Sequence, residues 1–307
     1  MSPTILLSLL YCGAAFGGSF LFMRLAAPEL PALLVAFGRV AFAALILAPF
    51  VGRAGLTAIR CCWRDYLVVG FFMAAAPFAL FAFAERSITA GLGSILNATT
   101  PLWTVIVLAA WLRQPPGGRR IAAIAIGFAG VAVIVGGEGL GLGSDALLGI
   151  AAATAGAACY GVALTYMRRH MASQPPVQLA LGQLIAATAL LAPGALLSVG
   201  EATVSAEAVA AVAGLAILST AIAWPLLFRV NRDVGPLATS TVTFLNPVFG
   251  TLWGALFLGE TVSPAFLAGS LLVFASLALV LDLRLPGRLR GTLRRSPVVV
   301  APAKLDE

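Results

Sequence analysis

The feature that most constrains this chain is the length of its apolar runs. Ten of them, at 4–23, 32–51, 66–84, 90–112, 120–136, 146–167, 178–198, 207–228, 235–258 and 264–283, are each close to twenty residues long. A helix rises 1.5 Å per residue, so about twenty residues cross the roughly 30 Å hydrocarbon core of a bilayer. Lipid offers no water to backbone N–H and C=O groups, so each run must satisfy them internally as a helix. The joints are short and carry Pro, Gly, Arg and acids, leaving no room for a soluble domain. Charged residues make up only 10% of the chain, against about a quarter in a soluble domain. The expected fold is therefore all-α and integral to the membrane, with ten transmembrane helices. The first run has no basic leader and is long enough to span, so it is not expected to be a cleaved signal peptide.

Positive charge sets the orientation. With the N-terminus inside, Arg53, Arg60, Arg64, Arg113, Arg119, Arg120, Arg168, Arg169, Arg229 and Arg232 fall in inner joints. Adding the tail from Arg284 brings 16 of the 19 Lys and Arg to the inner side, leaving Arg24 and Arg86 outside and Arg39 within the membrane. The outer joints instead carry Glu29, Glu85, Glu138, Asp145, Glu201, Glu207 and Glu260. Both termini are expected to be cytoplasmic and the protein to sit in a bacterial inner membrane. The net charge of +7 is then a topology signal, and the partner it implies is the lipid bilayer, with no nucleic acid. The basic stretch 284–307 is expected to be a disordered tail at the headgroups. Cys12 and Cys159 lie within spans and Cys61-Cys62 in a reducing compartment, so no disulfide framework is expected. His170 stands alone, and no metal site, cofactor or phosphate-binding loop is expected.

The chain also repeats itself. VAFGRVAFAALILAP (35–49) and LALGQLIAATALLAP (179–193) share six of fifteen residues at an offset of 144, with Gln183 in the place of Arg39. Phe22-Met23-Arg24 answers Tyr166-Met167-Arg168 at the same offset, and Pro101 answers Pro247 at 146. The expected units are 1–140 and 141–283. Five spans per unit is odd, so the second must enter the membrane upside down, as Arg24 outside and Arg168 inside agree. Inverted repeats about an axis in the membrane plane mark secondary transporters, with the substrate near the midplane between the halves.

LNPVFGTLWGALFLGETVSP (245–264) resembles the end-of-span marker of the EamA-type branch of the drug/metabolite transporter superfamily: a proline, a run of small and apolar residues, then Leu-Gly-Glu. The arginine early in the second span, Arg39, fits the same family, and the resemblance runs from residue 4 to 283. One departure is Leu112-Arg113-Gln114, which lacks the acid of Leu-Gly-Glu in the first half. Members of the family export amino acids, metabolites and drugs, so the resemblance implies a transporter of small molecules without naming the substrate.

An arginine about 10 Å below the membrane surface has to face the protein interior or a wet cavity. Arg39 is either a counter-ion for a substrate carboxylate, offering a bidentate fork, or a tie between helices; Gln183 can bond similarly without charge. Asn97, Thr100 and Asn246 lie beside the mid-span prolines Pro101 and Pro247, which free carbonyls four residues back, at Asn97 and Thr243. Pro77 and Pro225 are further expected kinks. The aromatics Tyr11, Phe78, Trp103, Tyr160 and Trp224 are candidates to line a cavity for an apolar side chain. Gly13 with Gly17, and Gly250 with Gly254, offer small-residue packing faces.

No Asp or Glu lies deep within a span, so proton coupling has no obvious vehicle except Glu85 or Glu260 at an outer rim. The expectation is export of small metabolites, amino acids first among them, by alternating access down the substrate gradient, compatible with a monomer. Efflux of drug-like cations would require a buried acid. An intramembrane enzyme would need clustered His, Asp, Glu or Cys, and an inverted repeat with mid-span prolines argues for a moving machine over a non-transporting scaffold, which stays the third alternative.

Overall fold

The computed structural model describes residues 3–113, 115–137, 143–230 and 242–280, with the side chains of 112, 168, 243 and 244 left aside. Gln114, Glu138, Arg232, residues 239–241, Asp282 and the basic tail lie outside these, as does the side chain of Thr243. All regular structure among the described residues is helical. Eight helices are long and apolar enough to cross a membrane: α1 Pro3–Ala26, α2 Ala32–Leu47 with its one-turn extension to Phe50, α4 Trp63–Ala84, α5 Ala90–Trp111, α6 Gly118–Gly137, α7 Ser144–His170, α8 Pro176–Leu197 and α9 Ala206–Val230. The ninth and tenth apolar runs form shorter helices, α10 Val242–Leu258 and α11 Pro264–Val280. Each has 17 described residues, about 26 Å of rise, slightly under a hydrocarbon core. The protein is a multi-pass membrane protein.

One element departs from the expected joints. Residues Arg53–Cys61 form a short helix, α3, where a plain loop was expected. Its single buried residue is Ile59, while Arg53, Leu56 and Arg60 are exposed, the pattern of a helix lying along a membrane surface.

Helix contacts recur at the sequence offsets. In α1, Gly17 lies so close to α10 that a Cβ there would stand 2.7 Å from the Gly250 amide nitrogen. In α7, Gly161 approaches α5 in the same way, its Cβ falling 2.9 Å from the Thr104 nitrogen. Gly161 is Gly17 plus 144 and Gly250 is Thr104 plus 146. Packing between α6 and α11 behaves likewise: Gly130 meets Gly269 backbone to backbone, and the Ser276 hydroxyl donates to the Ala123 carbonyl at 2.6 Å. Ala123 plus 146 is Gly269, and Gly130 plus 146 is Ser276, so the second contact repeats the first with partners exchanged. Without a hydrophobic force between helices in lipid, such close backbone approaches supply the dispersion energy that holds helices together.

The mid-span prolines act in three ways. α5 breaks at Thr99, and the Asn97 carbonyl freed by Pro101 is taken by the Thr100 hydroxyl at 2.7 Å. In α4 and α9 the irregularity precedes the proline, as a π-turn at Phe71–Ala75 before Pro77 and at Ile217–Ile222 before Pro225. The two π-turns begin 146 residues apart. Pro247 lies inside α10, which runs helically through it.

Candidate functional site

Arg39 projects from α2 into the protein and is 4% exposed. What receives it is the π-turn of α9. A π-turn adds a residue to one helical turn and takes carbonyls out of the regular ladder. Two of them find partners from other helices: Leu218 accepts from the Tyr11 hydroxyl at 3.1 Å, and Ser219 from Arg39 Nη2 at 3.4 Å. Arg39 Nε donates to the Thr220 hydroxyl at 2.8 Å, which in turn donates to the Leu215 carbonyl at 2.8 Å. Nη2 also donates to the Ser19 hydroxyl at 3.3 Å, and the Ser219 hydroxyl donates to the Ala15 carbonyl at 2.6 Å. The guanidinium carbon rests 3.7 Å from the centroid of Phe78. A cation over a desolvated aromatic face gains roughly 2 kcal/mol.

Two properties of this arrangement matter chemically. Every partner of Arg39 is neutral: among the described residues no carboxylate bonds it. Its fork is also half used, because Nη1 makes no hydrogen bond to a described residue. A buried guanidinium whose described partners are all neutral, and whose Nη1 bonds no described residue, offers a charged donor to a carboxylate or phosphate oxygen.

Aromatic rings wall the cluster. Phe78 meets Trp224 edge to face at 6.2 Å, and Trp224 meets Phe16 at 6.1 Å and Phe228 at 5.6 Å. Tyr160 lies within the electrostatic reach of Arg39 and stacks on Phe81 at 6.1 Å. Phe78 and Trp224 are 2% and 5% exposed, so with Arg39 the centre of the cluster is closed to solvent in this conformation, while Tyr11, Phe16, Tyr160 and Phe228 at its edge are half-buried. The indole Nε1 of Trp224 donates to no described residue.

Of the residues singled out from sequence, Arg39, Tyr11, Phe78, Tyr160 and Trp224 come together here. Asn97, Thr100, Trp103, Gln183 and Asn246 share no hydrogen bond or ring contact with the group. The hydroxyl of Thr100 is committed to its own helix, and Trp103 packs edge-on to Phe128 of α6 at 5.4 Å. Asn246 is buried beside Gly17 at the α1–α10 seam, its Oδ1 without a partner. Gln183 explains why the site is one-sided. α8 packs on the π-turn of α4 much as α2 packs on that of α9. The residues matching Ser219 and Thr220 are Met73 and Ala74, so Gln183 meets no hydroxyl and neither atom of its amide is bonded. Ser19, Ser219 and Thr220 were not foreseen as site residues. The signal available was the Ser-Thr pair standing 146 residues after an apolar pair.

The sequence profile of the EamA-like transporter family matches this chain twice, at residues 3–136 and 147–282. The chain is 27% identical over 269 residues to the threonine/homoserine exporter RhtA of Escherichia coli K12, covering 80% of this chain and 87% of that one. It is 25% identical to protein PecM of Dickeya dadantii, covering 91% and 92% of the two chains, and 23% identical to the transporter YvbV of Bacillus subtilis over 71% and 72%. A crystal structure of a 20% identical protein superposes with a TM-score of 0.64 over 92% of this chain and 98% of that one, which shows the shared fold.

Proposed function

Because this chain belongs to the EamA-like transporter family, we propose that it exports small metabolites bearing a carboxylate and an apolar portion, amino acids first among them. The observation that carries this reading is Arg39: a buried guanidinium whose partners among the described residues are neutral, whose Nη1 bonds none of them, and which lies against an aromatic wall. A substrate carboxylate supplies the missing counter-charge, and Phe78, Trp224 and Tyr160 take the side chain. A cationic drug would meet like charge here, so drug efflux is the weaker reading. The similarity to an exporter of threonine and homoserine points the same way.

The mechanism we infer is alternating access between two inverted five-helix halves, 1–140 and 141–283, in a bacterial inner membrane with both termini cytoplasmic. The recurrence of contacts at offsets of 144 and 146 supports it, as does the charge distribution along the chain. The closed aromatic cluster would then open alternately toward either side as the halves rock.

The test is uptake of a labelled amino-acid panel into liposomes holding the purified protein, wild type beside Arg39→Gln. Saturable uptake that disappears in a folded mutant supports the carboxylate site. Uptake of no amino acid by the wild type removes the amino-acid reading.

A further inference from the structure

Glu85 was expected at an outer rim, as one of two carboxylates that could couple protons. It is 0% exposed, and neither Oε1 nor Oε2 has a hydrogen-bond partner among the described residues. It is the first residue past α4, and its carboxyl is pressed against Gly93 of α5, where any Cβ would collide with Oε1. Charged groups approach from three directions. Arg24 of α1 is close, but its Nη1 donates to the backbone carbonyls of Glu85 at 2.6 Å and Ile88 at 3.1 Å, leaving the carboxyl unbonded. Glu260, from the α10–α11 connection, clasps the first turn of α5, accepting from Ala90 N at 2.8 Å and Gly91 N at 3.3 Å. Arg86 stands on the same connection as Glu85 and joins Arg24, Ala27 and Pro28 in lining a cavity of about 390 Å³ that reaches Glu85. From α7, Gly149 packs against Ser87 and the Ala84 carbonyl.

An ionised Glu85 would be a dry carboxylate with no donor, facing a second carboxylate. Burial first, and then the charge of Glu260, raise its proton affinity well above that of an ordinary glutamate, with Arg24 acting in the opposite sense. A neutral carboxyl fits the same space without that penalty.

We propose that Glu85 is a proton-binding site that gates this end of the protein. It holds a proton while Glu260 clasps α5, and releases it to water in the adjoining cavity when Glu260 lets go and this end opens. In the release the carboxyl O–H bond breaks and the proton passes to a water molecule. Glu85 stays behind as a solvated carboxylate, and no redox change or other co-reactant is involved. Glu260 is the acid of Leu-Gly-Glu in the second half, so the clasp joins one half of the chain to the other. Acid on this side therefore holds the end shut. The gating consequence rests on the transport reading above; the proton site does not.

Two measurements separate them. In purified protein at neutral pH, infrared difference spectroscopy should show a protonated-carboxyl band that vanishes in Glu85→Gln. The band should persist in Glu260→Gln, because the glutamine carbonyl oxygen still accepts from the α5 amides and keeps Glu85 buried. A wild-type spectrum without that band, or a band lost only in Glu260→Gln, overturns the proposal. In liposomes, acidifying the compartment that Glu85 faces should slow wild-type amino-acid exchange at least tenfold. Glu85→Gln, which mimics the protonated group, should exchange slowly at every pH. Wild-type exchange that ignores pH overturns the gate. If the wild type moves no amino acid at all, the substrate reading fails, and the band still decides the proton site.

Discussion

Phe78 and Trp224, 146 positions apart in the chain, meet edge to face with ring centroids 6.2 Å apart. Positions related by the repeat offset that also touch one another lie beside the axis that would relate the two copies. The π-turns of α4 and α9 flank the pair at the same offset. Arg39 stacks on Phe78 and bonds the opposite π-turn, so one side chain from the first half is held between an aromatic of its own half and a helix of the other.

Phe78 and Trp224 should be energetically coupled. Truncating either to Leu opens a cavity, but the edge-to-face contact itself adds about 1 kcal/mol beyond area burial. A double-mutant cycle with Phe78→Leu and Trp224→Leu, read by thermal unfolding in detergent, should therefore fall short of additivity by about that amount. Strict additivity would show that the rings pack independently.

Arg39→Lys keeps the charge and loses the planar fork. The Nε bond to Thr220 and the two Nη2 bonds cannot be reproduced together by one ammonium. Losing one charge-assisted hydrogen bond costs about 1.5–3 kcal/mol, so transport should fall by roughly tenfold or more. Lysine supporting wild-type flux would mean that charge alone suffices.

Gly17→Ala and Gly161→Ala should be damaging to a similar degree, because each new methyl meets backbone of the facing helix and no flexible side chain can yield. Overpacking of this kind costs about 1–3 kcal/mol. Gly200→Ala, with nothing within 4 Å of its Cβ position, is the control and should unfold as wild type does. Equal melting of all three would contradict the close helix approaches.

Stability should depend on pH through Glu85. Its folded-state proton affinity lies above the ordinary carboxyl value of about 4.5, so on raising pH past that value the unfolded chain releases this proton first. Folded stability contributed by the group is thus fully present in acid and is lost as pH climbs toward the folded-state value. Glu85→Gln should flatten this part of the profile and raise the melting temperature at neutral pH relative to wild type. An unchanged profile would mean that the carboxyl ionises without hindrance.

Much was legible in the chain because lipid imposes one-dimensional rules. The length of an apolar run states whether a helix can cross a bilayer, and hydropathy located the eight long apolar helices to within a few residues, among them the 4–23 run of α1 and the 178–198 run of α8. The echo at 144 and 146 residues and the placement of arginines are likewise linear properties. A helix on a membrane surface is harder to see, and α3 escaped notice because nine residues with one buried side chain leave little apolar signal.

The partners of a buried polar group are decided only in three dimensions. That Arg39 would be buried follows from its span. That it would bond Thr220, 181 residues later, depends on a π-turn whose register no local pattern of Ile217–Ile222 announces. Gln183 occupies the matching place in sequence, yet the matches of Ser219 and Thr220 are Met73 and Ala74, which carry no hydroxyl, and its amide bonds no described residue. Glu85 sits at the end of a span, where composition implies water, and tertiary packing against Gly93 excludes it. Apolar length and charge bias act residue by residue and can be summed along a chain. Desolvation and pairing depend on which distant segments fold against one another, so only the tertiary structure assigns them.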